Sequence, residues 1–247
     1  MPVYVRQKMI VNYTESGWQV ITQRSHGLLA AQICANWKFN EQYGSRWIET
    51  LTAVAEHDDV YNEFENDDLL NEYGGPVNFK MTVFRKDYCT RLIEMAITKS
   101  SWIALLVSRH IQFVHGSNPA AANFIKGLKK QEKDWISTRG VTSKEVSEAY
   151  LLLQFCDAFS LLICQGMIQP EQRKIEISKG PGQVSYMCVA GGINKLLVTP
   201  WPFEKEKFRV SFESRTLPRL TFKNAAEFRK ELWSVETVVH QLSISAF

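Results

Sequence analysis

The run over residues 151–164, Leu-Leu-Leu-Gln-Phe-Cys-Asp-Ala-Phe-Ser-Leu-Leu-Ile-Cys, is apolar on nearly every side of a helix and carries a single carboxylate, Asp157, at its centre. A helix that is apolar all round has to be enclosed by other elements. The run therefore fixes the middle of a core and places Asp157 inside it. An unpaired buried charge costs several kcal/mol, so Asp157 requires a cation, a hydrogen-bond network or a metal ion.

The rest of the chain divides near Gln169 and Pro170. Before that point a strand-like stretch at 17–22 is followed by helical periodicity over 25–37, with Ser25 as N-cap, and over 44–57, 86–99, 101–115, 119–136 and 143–166. Turn residues from Asn66-Asp67-Asp68 to Gly74-Gly75-Pro76 interrupt it. From Lys174 onward the pattern alternates, over 174–179, 184–189, 195–199 and 208–213, then gives a short helix at 225–233 and a closing strand at 238–247. The expected fold is mainly α, with a helical body over 1–168 and a smaller antiparallel β-rich unit over 169–247, α+β overall.

A chain of 247 residues with 45% hydrophobic content can enclose a substantial core without staples. Its net charge of +3 is too small to imply a nucleic-acid partner. The basic run Lys126, Lys129, Lys130 and Lys133 is interrupted by Glu132 and Asp134 at helical spacing and reads as a solvated helix face. The five cysteines are odd in number, lack C-x-x-C spacing and sit among apolar neighbours, as reduced core thiols do. With no apolar leader at the N-terminus and no run of about 18 apolar residues, the expectation is a cytoplasmic protein without a membrane partner.

Four residues accompany the buried run as candidate metal ligands: His26, the adjacent pair His57-Asp58, and Asp157 itself. Imidazole and carboxylate suit Mn, Fe, Zn, Co or Mg. Neighbours on a helix point about 100° apart, so His57 and Asp58 reach one ion only if it lies in the notch between them. His110 is a further candidate, and His115 a weaker one. Five residues apart on a helix, they point about 140° away from each other, so at most one reaches the same ion.

Arg24 and Arg109 stand close in sequence to His26 and His110, and their forked donors suit phosphate oxygens; the alternative is pairing with surface carboxylates or with Asp157. Asp59 and Glu63 can orient a ligand imidazole or act as general base, with Glu56 as a weaker supporting candidate. Gly74-Gly75-Pro76 lacks the spacing of a phosphate loop. Pro200-Trp201-Pro202-Phe203 reads as an aromatic anchor to the core in preference to a lid. No G-x-S-x-G elbow, H-E-x-x-H helix or dinucleotide fingerprint is present.

The order His26, His57-Asp58, Asp157 on helical segments resembles the HD-domain superfamily of metal-dependent phosphohydrolases, over about 24–166. That resemblance implies an HD-like helical bundle and a divalent ion held by His26, His57, Asp58 and Asp157, with His110 in the place of an additional ligand. It also implies a small phosphate ester as substrate, a nucleotide in the usual case, with Arg24 or Arg109 neutralising phosphoryl charge and Asp59 assisting. Two other outcomes stay open: a di-iron oxygenase of the same superfamily, which requires His110, and a non-catalytic protein that binds a small ligand. The strings at 23–32, 56–59, 105–110, 157–164 and 200–203 are also similar to an uncharacterised bacterial family known as a domain of unknown function. That similarity spans nearly the whole chain and supplies no activity.

Overall fold

In the computed structural model, which describes residues 9–38, 43–60, 62–65, 69–81 and 83–247, the chain opens with a hairpin of β1 (Ile10–Thr14) and β2 (Gly17–Ile21). Gly17 closes its turn at φ +117°, where a Cβ would lie 2.0 Å from the Leu217 carbonyl oxygen, so only glycine fits. Helices α1 (Gln23–Ala35), α2 (Trp47–Glu56), α3 (Lys86–Ile97), α4 (Ser101–His115), α5 (Ala122–Arg139) and α6 (Ser143–Cys164) follow. Then come β3 (Ile175–Lys179), β4 (Ser185–Gly192), β5 (Lys195–Thr199), β6 (Lys207–Leu217), α7 (Ala225–Ser234) and β7 (Thr237–Ala246).

All seven strands belong to one sheet in the order β1-β2-β6-β7-β5-β4-β3. Every pairing is antiparallel except β5 with β7, which run parallel in the register Lys195↔Ser243. This corrects the expected fold class. The protein is an α+β mixture built on a seven-stranded mixed sheet, not a mainly helical bundle with a small antiparallel appendage. Local periodicity could not show it, because β2 finds β6 some 200 residues away, in the register Trp18↔Leu217.

The sheet also positions the first site-bearing helix. β2 pairs with β6 only as far as Val20↔Arg215, and the next outward-facing backbone groups of β6 are satisfied by side chains of α1. Ser25 Oγ donates to the Glu213 carbonyl at 3.2 Å and accepts from Glu213 N–H at 3.1 Å. Gln32 does the same at Ser211, at 2.8 and 2.9 Å. Ser25 is therefore a docking residue. The N-cap is Thr22, whose hydroxyl accepts from Ser25 N–H.

One apolar core spans α1 to α6 and the inner face of the sheet; Phe155, Phe159, Trp102 and Leu105 are fully or almost fully enclosed. By length and composition α6 could cross a membrane, contrary to the sequence reading, but it packs against α1, α2, α4 and β3 within this core. Phe203 of the Pro-Trp-Pro-Phe segment is buried against Trp37, Phe155 and Phe208, an anchor as expected. Glu132 departs from the solvated face assigned to its helix: it is buried between α4 and α5. The turn expected at 66–68 lies outside the described residues.

Candidate metal centre

Helix α6 is set in register by a capping box, in which Thr142 Oγ1 accepts from Glu145 N–H and the Glu145 carboxylate accepts from Thr142 N–H. Its interior then places Asp157 opposite the start of α1 and the end of α2. Those two helix ends approach backbone to backbone: a Cβ on Gly27 would stand 2.4 Å from the Ala55 carbonyl oxygen. Glycine at 27 thus brings the residue before it, His26, against His57, the C-cap of α2. Helix α4 contributes His110, whose ring meets that of His57 edge-on at 4.9 Å.

The structure brings together all five residues expected to bind metal. His26 Nε2 lies 3.1 Å from Asp157 Oδ1 and 3.2 Å from His57 Nε2, and His57 Nε2 lies 3.3 Å from the same Asp157 oxygen. Asp58 flanks this triangle, with Oδ2 4.0 Å from His57 Nε2 and Oδ1 3.9 Å from His110 Nε2. His26, His57, His110 and Asp157 are buried; Asp58 is partly exposed. Asp58 and His110 also line a narrow cleft with Tyr88, Cys89 and His115, so His115 stands along the approach while His110 joins the cluster.

Hydrogen bonds at the outer nitrogens fix both inner rings with Nε2 facing the centre. His57 Nδ1–H donates to the Val54 carbonyl at 2.7 Å. Ser160 Oγ donates to the Asp157 carbonyl at 2.8 Å, so at 2.9 Å it accepts from His26 Nδ1–H. Partners of this kind on the outer nitrogen orient imidazoles that bind metals.

Without an ion, the centre holds a proton. Burial alone would push the His57 imidazole down, but the charge of Asp157, its hydrogen bond and the charge of Asp58 outweigh it and raise His57 to about 9. Burial likewise pushes the Asp157 carboxyl up, and the charge of His57 with the hydrogen bonds from His26 and His57 reverses this, holding it well below the usual carboxylate range. An entering cation would displace that proton and meet an already ionised carboxylate.

The residues fit a cation on geometric grounds. First-shell N and O donors about 2.0–2.2 Å from an ion are separated from each other by roughly 3.0–3.5 Å in octahedral or tetrahedral coordination. The three donor atoms of His26, His57 and Asp157 are spaced 3.1–3.3 Å apart. His26, His57 and Asp58 form one group able to hold an ion, and His57, His110 and Asp157 form another.

The expected catalytic residues are engaged outside this triangle. Arg24 binds the Asp59 carboxylate through Nε at 2.9 Å and its carbonyl at 3.1 Å. Arg109 reaches Glu132 at 3.2 Å and Ser143 at 3.4 Å. Glu56 pairs with Lys99 at 3.0 Å. Glu63, buried, accepts from Gln23 N–H at 2.8 Å and so caps the helix that carries His26. Sequence reasoning missed Ser160, absorbed into the apolar pattern of α6; its spacing of three residues from Asp157, which puts it on the same face, was the available signal.

Fold and site together define an α+β protein whose helices enclose a buried His/Asp cluster able to hold a metal ion. The chain belongs to the family described as a protein of unknown function, DUF3891, whose profile matches residues 9–219. No curated protein and no solved structure matches it.

Proposed function

We propose that the cluster is a divalent metal site of the HD type and that the protein hydrolyses a small phosphate ester, with nucleotides as the first class to test. One observation carries this reading: the triangle of His26 Nε2, His57 Nε2 and Asp157 Oδ1, with sides of 3.1–3.3 Å, buried, with both rings locked by outer hydrogen bonds. A divalent ion held there would supply a Lewis acid that lowers the pKa of a water and polarises a phosphoryl group. His26, His57 and Asp157 hold it from the buried side, and Asp58 and His110 border the side that opens to the cleft. Arg109 is paired with Glu132 and Arg24 with Asp59, so either would have to leave its carboxylate to neutralise phosphoryl oxygens; Arg24, whose partner follows Asp58 in the chain, is the candidate we favour. Five buried free thiols suit a reducing, cytoplasmic setting.

The second pairing, His110 with Asp58, supports a di-iron oxygenase as the other reading, since it offers ligands for a second ion beside His57.

Elemental analysis of protein purified without added metal, joined to a screen of phosphomonoesters and phosphodiesters, tests both. One Mn, Zn, Co or Mg per chain with phosphoesterase turnover is the expected result; two irons per chain would transfer the assignment to the oxygenase. Asp157→Asn should remain folded, lose the ion and abolish the drop in melting temperature that a chelator causes in the wild type. A wild type that holds no metal and shows no chelator response would end the metal reading.

A further inference from the structure

Tyr150 lies on the same face of α6 as Asp157, two turns earlier, with 9% of its surface exposed. Its ring contacts those of His110, at 6.4 Å between centroids, and Phe113, at 6.3 Å. The hydroxyl is buried and has no hydrogen-bond partner among the described residues. A phenol carries its proton at neutral pH, and the carboxylates of the centre are Asp157 and Asp58. Neither carboxylate accepts that proton. A phenylalanine would pack equally well here and would avoid the cost of an unsatisfied buried hydroxyl. The hydroxyl is therefore free to serve a group that arrives from outside the chain.

We propose that the Tyr150 hydroxyl donates a hydrogen bond to an anionic oxygen of a ligand bound at the His/Asp centre, positioning a phosphate-class ligand there. This rests on the metal reading above. It adds a neutral donor on the His110 side of the centre. Arg109, one residue from His110, cannot supply it while paired with Glu132.

The test compares wild type with Tyr150→Phe, both loaded with manganese(II), using inorganic phosphate as the calorimetric probe. Phosphate affinity should fall at least about tenfold in the variant, the gap expected for one lost hydrogen bond to a charged oxygen. Manganese affinity should stay within about twofold, and the melting temperature should hold or rise because an unsatisfied hydroxyl has been removed. Equal phosphate affinity in the two proteins overturns the inference while leaving the metal reading intact, as does a manganese-loaded wild type that binds no phosphate. A lower melting temperature with loss of manganese also overturns it, because the hydroxyl would then be structural. If the wild type takes up no manganese, the metal reading fails on its own measurement and this inference falls with it.

Discussion

Ser160 ties His26 to the helix that carries Asp157: its hydroxyl accepts from His26 Nδ1–H at 2.9 Å and donates to the Asp157 carbonyl at 2.8 Å, one turn back on α6. The single proton of the hydroxyl thereby sets the tautomer of a ring on another helix. Ser160→Ala should leave Nδ1–H buried without an acceptor. Metal affinity should then fall by about 10- to 100-fold, with a stability loss of about 1–3 kcal/mol. Competitive chelator titration and thermal melts of metal-free protein check the two effects separately. Unchanged affinity would show that Val54 and the packing of α1 suffice to hold the rings.

Gly27 should be as sensitive as any ligand, though it offers no donor atom. A methyl group there meets the backbone carbonyl of Ala55 at 2.4 Å, and backbone cannot swing aside as a long side chain can. Gly27→Ala should force α1 away from α2, costing about 1–3 kcal/mol by overpacking and separating His26 from His57. Reduced metal content in a folded variant is the expected result. A variant with full stability and full metal would mean that the two helices slide without disturbing the cluster.

How much of this was written in the sequence follows from which signals are local. The helices were legible because 3.6-residue periodicity is carried by near neighbours, and the convergence of the His/Asp cluster because few residue types suit an ion and Asp157 sits in an otherwise apolar run. The sheet was not. β1 is five residues long, and the β2–β6 pairing depends on contacts that no window of sequence contains. Glu63 and Arg109 read as chemistry because one is a carboxylate that follows the His57-Asp58 pair and the other stands next to His110, whereas in the fold one caps α1 and the other ties α4 to α5. Ser160 went unnoticed for the opposite reason, since an apolar helix absorbs an occasional hydroxyl without comment.

Glu63 gives the protein a stability that depends on pH near neutrality. Burial raises its carboxyl from 4.5 to about 7, partly offset by the bond from Gln23 N–H. Between those values the folded chain holds a proton that the unfolded chain has lost. Stability from this group is fully present below about pH 4.5 and declines as pH rises to about 7, a change on the order of 3 kcal/mol. Glu63→Gln keeps an acceptor for Gln23 N–H without the charge. The variant should gain stability over wild type most clearly at pH 8 and least at pH 5, which paired denaturant titrations at the two values would show. A difference independent of pH would mean that Glu63 does not titrate in this range.

Arg109 separates a structural guanidinium from a substrate-binding one. Its partner Glu132 also accepts from Ser108 Oγ at 2.8 Å and Gln112 at 2.5 Å, so the buried carboxylate joins α4 to α5 through three donors. Arg109→Lys retains the charge but replaces the planar guanidinium, whose Nη2 reaches both Glu132 and Ser143, with an ammonium on a different arm. Stability should fall by about 1 kcal/mol, less than the roughly 1.5–3 kcal/mol of a buried hydrogen bond to a charged group because Arg109 is partly exposed. Metal content and any phosphoesterase turnover should stay at the wild-type level, because the pairing lies on the α5 side of α4 and its contacts include none of the five cluster residues. A melt, a metal assay and a rate on this one variant decide the matter. A rate more than about tenfold lower, with melting temperature and metal unchanged, would show that Arg109 leaves Glu132 to grip substrate and would return the phosphate contact to α4.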